Sequence, residues 1–252
     1  MYGSRGRIGH ICPSAPLDMI LNEFQAVLPD GVLAVYSSLH IERLQQSDFD
    51  RAIATLDVAA GQMLEGEVDA VIVGGGPVVA ALGSDKAVVD RTREIVKAPT
   101  QSTTGAMLAG MQQLGARKLV VATPYTDERN QLLKTYLEGQ GFTVVGTRGL
   151  GLVRGVEVAS LPFDATYHLG CEAFEANPGA DAIYMPCARM PMVRNIEAIE
   201  QTTGIPVVSS TQAMAWWGLR AMGIEDRIAG FGRLMREPLS ANTERARVAA
   251  SS

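Results

Sequence analysis

Apolar positions along the chain fall into short, nearly continuous runs rather than an alternating pattern. Eight runs have strand length and are rich in Val, Ile and Leu: Arg7–Cys12, Val32–Ser37, Ala70–Gly74, Pro99–Ser102, Lys118–Thr123, Phe142–Gly146, Ala182–Pro186 and Pro206–Ser210. Such runs are expected of strands in a parallel sheet covered on both faces by helices. Longer stretches with helical spacing lie between them, among them Asp48–Leu64, Lys86–Val96, Gly105–Leu114, Asp127–Gln140, Asp164–Ala176, Val193–Thr202 and Gln212–Met222. Strand and helix in alternation predict βαβ units with right-handed crossovers, so the fold class is α/β.

The eight strands form two sets of four, and landmarks recur between the sets. A shift of 111 residues carries Pro13 onto Pro124 and Gly31 onto Phe142, and a shift of 112 carries Asp69 onto Asp181. The pair Ala98-Pro99 and Ile205-Pro206 recurs at 107. The repeat predicts two pseudo-symmetric, open parallel-sheet lobes of flavodoxin-like plan. The expected division is 1–104 plus 212–252 for the first lobe and 105–211 for the second. In open sheets, ligands bind beyond the carboxyl ends of the strands. The expected site is therefore the cleft between the lobes, lined by the strand-end loops. These loops are rich in hydroxyls, glycine and proline, and nearly free of charge. Several open a helix, and free backbone N–H groups there suit a carboxylate.

Composition narrows the function classes. The chain has 252 residues, 47% of them hydrophobic and 19% charged, enough apolar surface for a sizeable core. A net charge of -5 without a basic patch argues against nucleic acid as partner. No apolar run reaches the roughly 18 residues of a membrane span, and the start MYGSRGRIGHIC lacks the apolar stretch of a signal peptide. Three widely spaced cysteines, Cys12, Cys171 and Cys187, exclude a disulfide framework and a four-cysteine zinc site. They fit a reducing compartment, so a cytoplasmic protein is expected. His10, His40 and His168 show no metal spacing, so no metal is expected.

Cys187 is the main candidate for chemistry. It follows a buried-looking strand and is expected where a helix begins, an arrangement that lowers a thiol's pKa and keeps it accessible. The 112 shift carries Cys187 back onto Gly75, so the first lobe presents glycine where the second presents its thiol. The loop Gly74-Gly75-Gly76-Pro77-Val78 lets a ligand approach the backbone closely. It is not a dinucleotide fingerprint, because the spacing lacks a later glycine. Cys12, at the end of the first strand, is a secondary candidate. Tyr125 can donate a hydrogen bond to an oxyanion. Ser14, Ser102, Thr103 and Thr104, like Ser209, Ser210 and Thr211, can serve as ligand donors or as helix caps. Ala188 would border the substrate beside the thiol, and Met190 would give it an apolar wall.

The segments RIGHICPSAP, LVVATPYTDERNQLL, DAIYMPCARMP and GIPVVSSTQAMAWWGLRAMG followed by GFGRL resemble the Asp/Glu racemase superfamily. Within it they resemble the branch of arylmalonate decarboxylases and maleate cis-trans isomerases, over nearly the whole chain. The resemblance implies two α/β lobes, an active site between them, and no cofactor. Racemases and isomerases of this kind use two cysteines, whereas the decarboxylase keeps only the one that resembles Cys187 and has glycine in place of the other. Gly75 or Gly76 stands there in this chain. Tyr125 resembles the tyrosine that binds the substrate carboxylate. Two departures are visible: Pro77-Val78 replaces a Thr-Ser of the decarboxylase, and Ala15 replaces an asparagine of the isomerases.

Taken together, the expected function is cofactor-free decarboxylation of a small malonate-type acid. Backbone N–H groups around Gly75, Gly76, Pro77 and Val78 would hold one carboxylate, and Cys187 would protonate the enediolate. The alternatives are a maleate cis-trans isomerase or Asp/Glu-type racemase working with Cys187 and Cys12, and a non-catalytic relative that binds diacids. The expected partner is a small dicarboxylate, with no nucleic acid and no membrane. A homo-oligomer is compatible with the sequence.

Overall fold

The computed structural model describes residues 1–14, 17–41, 46–74 and 84–239. All eight predicted strands form: β1 (Gly6–Ser14), β2 (Val32–Ile41), β3 (Ala70–Val73), β4 (Thr100–Ser102), β5 (Lys118–Thr123), β6 (Thr143–Gly149), β7 (Ala182–Met185) and β8 (Val207–Ser209). They build two four-stranded parallel sheets of the same plan, ordered β2-β1-β3-β4 and β6-β5-β7-β8. Each sheet therefore places its first strand inside and sends the chain outward in both directions, as in doubly wound folds.

The helices are α1 (Ile20–Val27), α2 (Gln46–Glu65), α3 (Asp85–Val96), α4 (Thr103–Gln113), α5 (Asp127–Gly139), α6 (Gly155–Ala159), α7 (Ala165–Glu175), α8 (Ile196–Thr203), α9 (Ser210–Ala221) and α10 (Arg233–Arg236). Three of these, α1, α6 and α10, were not among the predicted elements. None of the helices among the described residues is long and apolar enough to cross a membrane.

The central strands are buried on both faces, which explains their unbroken apolar runs. Every residue of β3 and β7 is buried, and in β5 only Lys118 is exposed. In the first sheet, Ile11, Val71 and Val73 pack against Leu56, Ala60 and Met63 of α2 and Val88 of α3. In the second, Val120, Ala122 and Ile183 pack against Leu169 and Ala173 of α7 and Ile196 and Ile199 of α8.

The internal repeat has a physical counterpart. The Asp69 carboxylate accepts the Arg7 N–H at 2.8 Å, while the Asp69 N–H donates to the Arg7 carbonyl at 2.8 Å. In the second sheet, the Asp181 carboxylate accepts the N–H groups of Arg117 at 3.0 Å and Lys118 at 2.9 Å. The Asp181 N–H donates to the Lys118 carbonyl at 2.8 Å. In both sheets the same aspartate locks the start of the third strand to the start of the first. These bonds satisfy N–H groups at the strand entry that have no ladder partner.

The chain divides into two compact units, Met1–Ala106 with Trp217–Glu225, and Met107–Trp216 with the chain from Asp226. The boundary read from sequence, at 212, gives the whole tail to the first lobe. In the structure the segment around α10 belongs with the second. The Gly232 N–H donates to Glu197 Oε2 at 3.1 Å, and the Arg233 N–H to Glu200 Oε2 at 2.8 Å.

Candidate active site

Cys187 lies in the loop after β7, two residues beyond Met185. The expectation that it opens a helix is not met, since the next helix, α8, begins only at Ile196. What shapes the position is the backbone. Cys187 has φ +102°, a region that L-residues rarely occupy and that costs on the order of 1–3 kcal/mol. Two hydrogen bonds hold it there. Its N–H donates to Ser210 Oγ at 3.0 Å, and its carbonyl accepts the Met190 N–H at 3.2 Å.

The thiol is half-buried and surrounded by donors. The backbone N–H groups of Arg189 and Met190 and the hydroxyl of Tyr125 lie near enough to the sulfur to favour its charged form. Burial outweighs them and pushes the Cys187 thiol above its ordinary value of 9.0. The N–H groups, the Tyr125 hydroxyl and the nearby Arg189 charge pull the other way. The sequence expectation of a lowered pKa rested on a helix terminus that is not there. At neutral pH the group is a protonated thiol.

Tyr125 sits two residues beyond β5 and is held by a built loop. Its N–H donates to Thr123 Oγ1 at 3.0 Å, and Thr123 Oγ1 donates to Asn130 Oδ1 at 2.6 Å, both partners being buried. The carbonyls of Thr123, Pro124 and Tyr125 accept the N–H groups of Leu150, Leu152 and Gly151 at 3.1, 2.8 and 3.1 Å. Gly149 is required by close approach. A Cβ there would fall against the Tyr125 carbonyl oxygen and 2.5 Å from Asn130 Nδ2. The Arg129 guanidinium lies 6.0 Å from the Tyr125 ring centroid. Burial, and then the neighbouring Cys187, push the Tyr125 phenol well above 10.0, so it remains a donor.

The helix starts show which hydroxyls act as caps. Ser209 caps α9 in a reciprocal box: its Oγ accepts the Gln212 N–H at 3.3 Å, and Gln212 Oε1 accepts the Ser209 N–H at 3.2 Å. Ser102, expected as a ligand donor or a cap, accepts the Gly105 N–H at 2.9 Å and is buried, so it caps α4. Thr103 and Thr104 open that helix and are half-buried. Gly74 lies close against Pro13, Thr103 and Ile11, where a Cβ would find Thr103 Oγ1 at 3.2 Å. Cys12 is 3% exposed within β1, so it lacks the access expected of a nucleophile. Met190 also departs from expectation. Its side chain is fully buried in the core of the second unit, and its N–H donates to the Cys187 carbonyl. Ala188 lies beside the thiol and is half-buried. Ser14 ends β1. Gly75, Gly76, Pro77 and Val78, the expected carboxylate loop, lie outside the described residues. Among the described residues, no three His, Cys, Asp or Glu side chains gather to hold a metal ion.

Sequence reasoning missed Asn130. A polar residue on the buried face of α5, seven positions before Leu137, is the signal that could have found it.

A family model described as Arylmalonate decarboxylase matches residues 8–235. The arylmalonate decarboxylase of Bordetella bronchiseptica is 35% identical over 147 residues, 58% of this chain and 61% of that protein. The chain thus spans less than two thirds of that relative's length in the alignment. The maleate isomerase of Pseudomonas putida is 25% identical over 245 residues, 91% of this chain and 96% of that protein. A solved structure of unliganded arylmalonate decarboxylase superposes with a TM-score of 0.77 at 27% identity, covering 91% of this chain and 98% of the other. The fold, the extent of the family match and these relatives lead to one conclusion: the chain belongs to the arylmalonate decarboxylase family, a branch of the Asp/Glu racemase superfamily.

Proposed function

We propose that the chain is a cofactor-free decarboxylase of a small malonate-type acid. The observation that carries this reading is the setting of Cys187: its backbone is fixed at the end of β7 by Ser210 and Met190, and its thiol lies beside the Tyr125 hydroxyl. Burial favours the protonated thiol. A group of that kind is a proton donor.

The substrate's retained carboxylate accepts the Tyr125 hydroxyl, and the departing one leaves as CO₂. The C–C bonding pair becomes the enediolate, whose charge is stabilised by donors already in place. Each such donor is worth about 3 kcal/mol in comparable sites. Cys187 then gives its proton to the carbon, and the thiolate is held by the Arg189 and Met190 N–H groups until it takes a proton from water. Delivery from one fixed side gives a chiral product, and general acid catalysis contributes roughly 10²–10⁴-fold.

A second reading has support in the extensive match to the Pseudomonas putida maleate isomerase. There the Cys187 thiolate would add to a cis-enedioate, the C–C bond would rotate, and elimination would release the trans isomer. The raised thiol pKa weighs against it, because the thiolate is the attacking species.

The purified protein, incubated separately with phenylmalonate and with maleate, separates the readings. CO₂ release and deuterium incorporation at the α-carbon in heavy water support the first. Fumarate signals without CO₂ support the second. Cys187→Ala is expected to abolish turnover while leaving the thermal unfolding midpoint within a few degrees. Full activity in that variant removes Cys187 from either reaction.

A further inference from the structure

Ser210 is the first residue of α9, yet it does not cap that helix, because Ser209 does. It is 3% exposed and 23 residues from Cys187 in sequence. Its Oγ accepts the Cys187 N–H at 3.0 Å and donates toward Met107 Sδ at 3.3 Å. A hydroxyl has one proton. With that proton directed at the Met107 sulfur, an oxygen lone pair is left for the Cys187 amide.

That amide belongs to the residue with φ +102°. A strained backbone persists only where its surroundings over-determine it. Here the constraints are the Ser210 bond on the N–H side and the Met190 N–H on the carbonyl side. The same backbone turn brings the sulfur under the N–H groups of Arg189 and Met190 and beside the Tyr125 hydroxyl.

Resting on the reading of Cys187 as the proton donor, we propose that Ser210 is a positioning residue: its buried hydroxyl fixes the strained Cys187 backbone and thereby aims the thiol. Without that oxygen, the Cys187 amide becomes a buried donor with no acceptor. Relaxation toward negative φ swings the sulfur away from its three donors. The thiolate then loses its stabilisation, and proton delivery loses its alignment.

The test is alkylation of the full chain by iodoacetamide as a function of pH, read as the mass of the Cys187 peptide so that Cys12 and Cys171 do not contribute. Ser210→Ala is expected to raise the pH midpoint for Cys187. In phenylmalonate decarboxylation it is expected to lower kcat about 100-fold, the scale of a misplaced catalytic group, with KM little changed. Ser210→Thr retains the oxygen and is expected to restore the midpoint and most of kcat. An unchanged midpoint in Ser210→Ala, or a Thr variant displaced as far as the Ala variant, overturns the proposal. Amide hydrogen exchange in the unmutated protein needs no variant: the Cys187 N–H is expected to be strongly protected, and rapid exchange also overturns it. The alkylation and exchange measurements need no turnover. A chain that shows these results but does not decarboxylate malonates refutes the proposed reaction and leaves the anchoring of the thiol standing.

Discussion

The Tyr125 hydroxyl neighbours the Cys187 thiol, and burial pushes both groups above their ordinary pKa values. The pair is therefore neutral at physiological pH, with both protons in place. Tyr125→Phe removes a donor from the enediolate, and removes from beside Cys187 a hydroxyl that lowers the thiol's pKa. Loss of one such donor costs about 100- to 1000-fold in kcat at comparable sites. Steady-state kinetics on phenylmalonate are expected to show that loss. The Cys187 alkylation midpoint is expected to move up in pH, because the neighbouring Tyr125 hydroxyl holds it down. A downward move contradicts that influence.

The alkaline side of the rate profile follows from the same thiol. A general acid works while protonated, and burial pushes the Cys187 thiol above its ordinary range. Decarboxylase activity is expected to persist through neutral and mildly alkaline pH and to decline only at higher pH. A decline centred near 7 is incompatible with Cys187 as the acid.

His10 makes the first unit sensitive to acid. It is buried in β1 beside Phe24 and Tyr36, with ring centroids 5.6 and 6.1 Å away. Burial lowers its pKa from 6.5 to about 4. The unfolded chain takes up this proton first as pH falls. The contribution is thus fully present above pH 6.5 and is lost progressively toward pH 4. At 1.36 kcal/mol per pH unit, the loss amounts to about 3 kcal/mol. Urea unfolding at pH 7 and 4.5 is expected to show a smaller stability difference in His10→Leu than in the parent. An unchanged difference assigns the acid sensitivity to other groups.

Gly149→Ala is expected to disturb the Tyr125 loop. The new methyl meets the Tyr125 carbonyl oxygen and Asn130 Nδ2, so the backbone must shift. Overpacking of this kind costs about 1–3 kcal/mol. A lower unfolding midpoint together with reduced kcat is expected. A stable variant with normal kcat places Tyr125 outside the reaction.

The architecture was largely legible because burial on both faces leaves a one-dimensional trace. The unbroken runs of Ala70–Val73 and Ala182–Met185 are strands for the reason that made them readable. α1 escaped because, although Ile20, Phe24 and Val27 share one face, its eight residues fall short of the length at which helical spacing stands out. α6 and α10 are shorter still. The places of Cys187 and Tyr125 just beyond strand ends were readable from the sequence. The geometry that makes them a pair was not. The Cys187 N–H at this positive φ is bonded to Ser210, 23 residues away, and no local pattern predicts a left-handed cysteine. The sign of its pKa shift was missed for the same reason, since it depends on whether a helix follows the strand.

Neither unit is a continuous stretch of chain. The first is completed only by Trp217–Glu225, where Gly218 lies so close to Ile8 of β1 that a Cβ would come within 2.8 Å of its side chain. A ribosome releases the first 106 residues long before it makes that closing segment. The first unit must therefore wait, incomplete, while the second is synthesised.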